Sequence, residues 1–251
     1  MPKAANVNLE EHKLPGSHYG YSATKVDKLT ATEYTLVTIA LDESGSTAAF
    51  KSQMEECIKR VIQACRYSPR ADNLMIRLTA FGTHMREVHG YKLLEACNVQ
   101  DYDGCYGAGG QTALYDSAEN AIRATASYAQ QLSDNDFSVN AIVFVLTDGD
   151  DNSSTFGQAD VKKALQDCVN SEAMESMVSV LIGVNIQDPT ISQYLDDFNN
   201  NAGFTRLIQI ADASEKSLAK VAEFVSKSIS SQSGSLNKSN QGSQQVQSLT
   251  F

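Results

Sequence analysis

The chain has 251 residues, of which 42% are apolar, and its 20 lysines and arginines against 30 aspartates and glutamates give a formal net charge of −10. This acidic balance argues against a nucleic-acid binder, because phosphate recognition normally shows as a basic stripe. The sequence has no apolar run long enough to span a membrane and no apolar signal-peptide core near its start, so we expect neither a membrane segment nor standard secretion.

The first 33 residues are polar and contain the breakers Pro15, Gly16 and Gly20. This composition predicts a loop-like N-terminal arm, residues 1–33, that leads into a folded domain. Apolar runs and amphipathic stretches alternate along residues 34–230, and the apolar content is sufficient for the core of a domain of that size.

The apolar runs predict five strands, and most of these runs are nearly continuous, as strands buried on both faces require. The predicted strands are 34–41, 74–81, 139–146, 177–184 and 205–210. Residues 86–91, which follow the second strand after Gly82, predict an antiparallel edge strand.

Steps of three and four between apolar residues predict amphipathic helices between the strands. The predicted helices are 48–66, 113–132, a helix capped by Asp188 and closed by Gly203, and 214–230. This alternation predicts an α/β fold: a doubly wound, mainly parallel central sheet with one antiparallel edge strand and helices on both faces.

The C-terminal residues 231–251 differ in composition from the domain. Six of these 21 residues are serine and five are glutamine, and the apolar residues are isolated. Such a segment buries too little apolar surface to offset the entropy of ordering, so we predict a disordered Ser/Gln-rich tail.

Oxygen-bearing side chains follow two of the predicted strands directly. Asp42, Ser44 and Ser46 alternate after the first strand, and Asp148 follows the strand that ends at residue 146. Between them, the glycine-rich residues 107–112 predict a flexible loop that delivers the hydroxyl of Thr112. Because ligands of an open α/β sheet bind at the carboxyl ends of its strands, we expect these side chains to converge.

Two carboxylates and three hydroxyls form a ligand set for a hard divalent cation. Mg²⁺ suits it best, since Mg²⁺ prefers oxygen ligands and retains several waters, and Mn²⁺ is the alternative. With only two charged ligands, the ion keeps positive character towards an incoming anion.

This pattern resembles the von Willebrand factor A (VWA) domain family and its metal-ion-dependent adhesion site (MIDAS). The family pattern is D-x-S-x-S after the first strand, a threonine in a loop before a helix, and an aspartate after the fourth strand. The matching positions are Asp42, Ser44, Ser46, Thr112 and Asp148, and the resemblance covers residues 34–230.

The resemblance implies direct metal ligation by Ser44 and Ser46, with Thr112 added in a high-affinity state. Asp42 and Asp148 would act mostly through bound water. The remaining coordination position would accept an aspartate or glutamate carboxylate from a protein partner. Intracellular members of the family are commonly adaptors or subunits of larger assemblies, often alongside AAA+ ATPases.

Neighbouring acidic residues have simpler interpretations. Glu43 occupies a variable position of the motif, and we expect it to face solvent. Asp150 and Asp151 are additional candidate ligands, but we expect them to belong to a solvated acidic loop. The five cysteines form no CxxC pair, which predicts reduced thiols and a cytoplasmic location.

Three functions follow from these features. The first is a non-enzymatic, metal-dependent protein-binding module. The second is a metal-dependent phosphohydrolase with Asp42 as nucleophile, although such enzymes carry an acid/base aspartate where this chain has Ser44. The third is a structural assembly component whose metal site is vestigial.

Overall fold

The computed structural model describes residues 8–235. These residues form one sheet of eight strands and five α-helices. The strands are β1 Leu9–His12, β2 Tyr21–Thr24, β3 Glu33–Asp42, β4 Leu74–Phe81, β5 Met85–Leu93, β6 Ser138–Thr147, β7 Ser176–Gly183 and β8 Arg206–Gln209. The helices are α1 Lys51–Cys65, α2 Leu114–Ser133, α3 Gln158–Val169, α4 Pro189–Ala202 and α5 Glu215–Ser233.

The sheet has the order β1-β2-β5-β4-β3-β6-β7-β8. Strands β4, β3, β6, β7 and β8 run parallel to one another, and β5 is antiparallel to β4. Helices α1 and α5 pack on one face, and α2, α3 and α4 pack on the other. The predicted fold class is therefore confirmed, because strands covered by helices on both faces need the continuous apolar runs that the sequence shows.

The polar N-terminal segment contains two strands, and the prediction that it is loop-like is wrong over them. Strand β1 pairs antiparallel with β2, and β2 joins β5 in parallel. Tyr21 and Ala23 of β2 are buried, and the Tyr128 hydroxyl of α2 donates to the Thr24 carbonyl at 2.7 Å. A strand of four residues is too short for its alternating pattern to be recognised in a polar sequence. Its conformation depends instead on the residues that it packs against.

Strand β2 is also linked to a buried ion pair, which we call the Arg77 network: Ser22, Arg77, Glu87 and Asn120. Arg77 is fully buried in β4, and its Nε donates to Glu87 Oε2 at 2.8 Å. Its Nη2 donates to Asn120 Oδ1 at 2.9 Å, while the Ser22 amide donates to Glu87 Oε1 at 3.0 Å. The buried guanidinium therefore joins the N-terminal segment, two strands and α2.

The final helix extends slightly further than the sequence predicts. Helix α5 continues from Ser230 to Ser233, and Asn140 Nδ2 of β6 donates to the Gln232 carbonyl at 3.0 Å. The predicted disordered tail, residues 231–251, is therefore wrong over 231–233, which belong to α5. Residues 236–251 lie outside the described residues, so their predicted disorder stays a prediction. Within residues 8–235, none of the helices combines the length and apolarity needed to cross a membrane.

Candidate metal centre

The candidate centre lies where β3 and β6 end side by side. The two strands are parallel neighbours, with Leu41 opposite Leu146 in the register. Asp42 is the last residue of β3, and Asp148 follows the last residue of β6. The topology therefore places both carboxylates at the same rim of the sheet, as the sequence predicts.

Asp42 organises the turn that follows β3. Its Oδ1 accepts a hydrogen bond from the Ser44 amide at 2.8 Å, and its Oδ2 accepts one from the Thr147 hydroxyl at 2.6 Å. The side chain is buried, since Asp42 is only 1% exposed. Both carboxylate oxygens are thus engaged in holding the loop and the neighbouring strand end.

The two serines and Asp148 form a continuous hydrogen-bonded run. Ser44 Oγ lies 3.1 Å from Ser46 Oγ, and Ser46 Oγ donates to Asp148 Oδ1 at 2.8 Å. Ser44 is buried and Ser46 is exposed, so the run leads from the interior to the surface. Together with Asp42, four of the five predicted site residues are joined by hydrogen bonds.

Thr112 is tied to this region through its backbone. Its amide donates to Asn152 Oδ1 at 2.7 Å, and its carbonyl accepts from the Asn152 amide at 3.0 Å. Asn152 lies in the loop that follows Asp148. Among the residues that the structure describes, no hydrogen bond joins the Thr112 hydroxyl to the other four predicted ligands.

The glycine-rich loop that carries Thr112 is held in place by backbone hydrogen bonds. The Gly109 amide donates to the Glu43 carbonyl at 2.9 Å, and the Gly45 amide donates to the Gly110 carbonyl at 3.1 Å. Gly110 has a φ of 83°, and a Cβ there would lie 2.5 Å from Thr83 Oγ1. The glycines therefore permit the loop to dock closely, and these backbone hydrogen bonds hold it against the turn that follows β3.

The pKa of each of the two carboxyl groups is raised, mainly by burial. Burial, and secondarily the charge of Asp148, raise the pKa of Asp42 to about 6. Burial also raises the pKa of Asp148. Within residues 8–235, no lysine or arginine forms an ion pair with either side chain. Two close carboxylates in such surroundings favour a bound cation.

The donor set restricts which cation fits. Within residues 8–235, no group of three or more histidine, cysteine, aspartate or glutamate side chains is placed to hold a metal ion. A cation at this rim would therefore depend on the serine hydroxyls as well as the two carboxylates. These oxygen donors fit a hard divalent ion that keeps some of its water.

Two further side chains support the centre and were not identified from the sequence. The Thr47 hydroxyl donates to the Ser44 carbonyl at 2.8 Å, and the Tyr106 hydroxyl donates to the Asp42 carbonyl. Thr147, which bonds Asp42, ends β6 directly before Asp148, so the reasoning that identified Asp148 could have found it. Tyr106 has no comparable signal, because only the folded chain brings it near β3.

Two expectations about neighbouring acidic residues are wrong. Glu43 does not face solvent, since its side chain is 12% exposed and accepts a hydrogen bond from Arg86 Nε at 2.8 Å. Asp151 is not simply a solvated loop residue, because its Oδ2 accepts from the Tyr115 amide at the start of α2 at 3.1 Å. Asp150 is exposed, as expected.

The chain is similar to known proteins in fold, and much less so in sequence. No protein-family model matches the chain, and no curated protein gives a significant match. Among solved structures, the PilB minor pilin from Streptococcus sanguinis has 13% sequence identity and a TM-score of 0.57. The match covers 82% of this chain and 64% of that one.

Two other solved structures have similar folds. The pilus adhesin SpaC from Lactobacillus rhamnosus GG has 11% identity and a TM-score of 0.57, over 88% of this chain and 34% of that one. Proximal thread matrix protein 1 from the mussel byssus has 19% identity and a TM-score of 0.53, over 79% of this chain and 47% of that one. This chain spans less than two thirds of the length of each of the three neighbours.

At these identities the likeness is one of fold, and the chain has a VWA-like α/β fold. A further structure of the mussel protein, with 19% identity and a TM-score of 0.51, has a zinc-occupied MIDAS motif, and its match covers 78% of this chain and 46% of that one. In that neighbour, a protein of similar fold therefore holds a divalent cation at its MIDAS motif.

Proposed function

We propose that this chain is a non-enzymatic, metal-dependent protein-binding module. Asp42, Ser44, Ser46, Thr112 and Asp148 would hold a divalent cation, and the cation would capture an aspartate or glutamate carboxylate of a protein partner. The observation that carries the proposal is the hydrogen-bonded run from Ser44 through Ser46 to Asp148, beside a buried Asp42.

The chemistry of the donors favours Mg²⁺ or Mn²⁺ as the resident ion. The mussel neighbour holds zinc, which supports a divalent cation at a site of this kind. The proposed ligands here are all oxygen atoms, however, and zinc sites in proteins are usually built with nitrogen or sulfur. Two carboxylates do not over-neutralise a divalent ion, so the bound cation can still attract a third carboxylate.

A binding role also agrees with the state of Asp42. In the alternative phosphohydrolase, Asp42 would attack phosphate, but here it is 1% exposed and both its oxygens accept hydrogen bonds. A carboxylate held in this way stabilises the loop at the expense of its nucleophilicity. The proposal therefore contains no catalytic step.

The proposed setting is a multi-subunit assembly in the cytoplasm, in which the chain acts as an adaptor. All five cysteines are free, and four of them are buried, which supports a reducing compartment. The family resemblance suggests an AAA+ ATPase as a partner in such an assembly.

Selection from a displayed library of random peptides tests the proposal. With Mg²⁺ present, the full chain should enrich peptides that contain aspartate or glutamate, and EDTA should release them. Replacing that acid by its amide in a synthetic peptide should abolish binding, because the carboxylate supplies the ligand to the ion.

The matched variants are Ser46→Ala at the rim and Ser68→Ala, which lies beyond the far end of α1. Ser46→Ala should select none of these peptides, and Ser68→Ala should select them normally. Enrichment of peptides without an acid, or binding that persists in EDTA, would contradict the proposal.

A further inference from the structure

Glu43 lies between two of the proposed ligands in sequence, yet its side chain points into a cluster of donors. Its Oε1 accepts from Arg86 Nε at 2.8 Å, and its Oε2 accepts from Arg86 Nη2 at 2.5 Å. The Gly107 amide also donates to Oε2, at 2.8 Å. The guanidinium thus forks onto both carboxylate oxygens, which is a strong and directional form of ion pair.

This ion pair connects three segments of the chain. Glu43 belongs to the turn after β3, Arg86 belongs to β5, and Gly107 begins the loop that leads to Thr112. Arg86 Nη2 also donates to the Cys105 carbonyl at 2.6 Å, just before that loop. The Glu43 backbone adds a further link, since its carbonyl accepts from the Gly109 amide at 2.9 Å.

The packing around Glu43 depends on glycine at position 107. A Cβ on Gly107 would lie 2.7 Å from Glu43 Oε2, a separation that real Cβ atoms essentially never show. The absence of a side chain therefore lets the loop backbone approach the carboxylate closely enough to donate its amide.

We propose that Glu43 and Arg86 are positioning residues that fix the 107–112 loop and thereby set the affinity of the metal centre. The proposal rests on the proposed function, because it concerns the ion that the centre would hold. Thr112 is held at this rim through its backbone, so the placement of its hydroxyl depends on the position of the loop. Residues that orient metal ligands commonly change metal affinity by 10- to 100-fold when replaced.

The charges of Glu43 and Arg86 could also act on the cation directly, without the loop. That effect predicts a different change in cation affinity, so the two explanations can be tested against each other. If only charge mattered, removing the negative charge of Glu43 would weaken cation binding, and removing the positive charge of Arg86 would strengthen it. If the pair positions the loop, either replacement releases the same loop, so both weaken binding. Arg86 is therefore the informative position.

Calorimetric titration of Mn²⁺ alone into the full chain measures the effect. We expect Glu43→Gln, Arg86→Met and the double variant each to bind Mn²⁺ about 10-fold more weakly than wild type. The double variant should be no weaker than the more affected single variant, because both act through one interaction. Arg86→Lys keeps the positive charge but cannot form the bidentate contact with Glu43. Its Mn²⁺ affinity should lie between those of Arg86→Met and wild type.

Two controls separate positioning from charge and from misfolding. Glu56→Gln and Arg60→Met make the same charge changes in another ion pair, on the surface of α1, and should leave Mn²⁺ affinity unchanged. Hydrogen exchange of the Gly107 and Gly109 amides in metal-free protein should accelerate in the Glu43 and Arg86 variants only.

The possible failures are distinguishable. Wild-type or tighter Mn²⁺ binding by Arg86→Met would overturn the positioning role while leaving the proposed function intact. If wild type itself binds no Mn²⁺, the proposed function and the affinity claim both fail. Unchanged exchange at Gly107 and Gly109 in the variants would show that the pair does not hold the loop.

Discussion

The candidate metal centre and the Arg77 network both contain buried charged side chains, but they balance charge differently. In the network, fully buried Arg77 donates to Glu87 at 2.8 Å, and Asn120 and Ser22 satisfy further polar atoms. At the rim, Asp42 and Asp148 carry the same charge, and the pKa of each is raised. Their hydrogen bonds come from neutral groups of the turn and strand ends.

This difference separates a cluster that balances its own charge from one that does not. A buried ion pair compensates the cost of desolvation within the chain, so its role can be purely to hold elements together. Two like charges without a cationic side chain cost free energy in the folded state, and a bound cation offsets that cost. The charge balance of the two clusters therefore suggests that the network holds the fold and the rim binds an ion.

The largest effect is expected in the Arg77 network. Arg77→Met should lower the free energy of unfolding by about 3 kcal/mol, because it leaves Glu87 without its cationic partner. We place the effect at the low end of the range for buried pairs because the Glu87 side chain remains 22% exposed. Urea denaturation measures this change.

Arg60→Met is the matched control for that substitution. Arg60 pairs with Glu56 and Glu215 on the surface, where solvent screens such pairs and Arg60→Met should change the free energy of unfolding far less. Equal destabilisation by the two variants would remove the contrast between a structural ion pair and a surface one.

A smaller effect of opposite sign is expected at the rim. Asp148→Asn should raise the free energy of unfolding of the metal-free protein by about 1 kcal/mol or less at pH 7. The asparagine carbonyl can still accept from Ser46, while the repulsion between Asp148 and Asp42 is lost. In excess Mg²⁺ wild type should gain stability and the variant should not, which urea denaturation with and without EDTA would show.

A loss of stability in metal-free Asp148→Asn would contradict this account of the rim. It would mean that the Asp148 carboxylate stabilises the fold by its hydrogen bonds more than it destabilises it by charge. The rim would then resemble the Arg77 network, and the comparison between the two would fail.

The fold class follows well from the sequence, and so does part of the geometry of the candidate centre, for physical reasons. Continuous apolar strands and strand-end aspartates are local patterns, so the placement of Asp42 and Asp148 at one rim follows from parallel topology. The D-x-S-x-S spacing also brings Ser44 and Ser46 into one turn. These features need no knowledge of distant contacts.

Other features depend on contacts that the sequence does not encode locally. Arg77 meets Glu87 across the pairing of β4 with β5, whose register shifts on both sides of Leu78. Glu43 has a buried environment because Arg86 and Gly107 reach it from elsewhere in the chain. The strand at Tyr21 likewise depends on packing against β5 and α2, so the polar segment that contains it appears loop-like in isolation.

Calorimetric titration of Mg²⁺ and Mn²⁺ into wild type, Ser46→Ala and Ser68→Ala tests the central claim most directly. The account predicts saturable binding of one ion per chain in wild type and in Ser68→Ala, and loss of that binding in Ser46→Ala. Absence of binding in wild type, or equal binding in Ser46→Ala, would contradict the assignment of the rim as a metal centre.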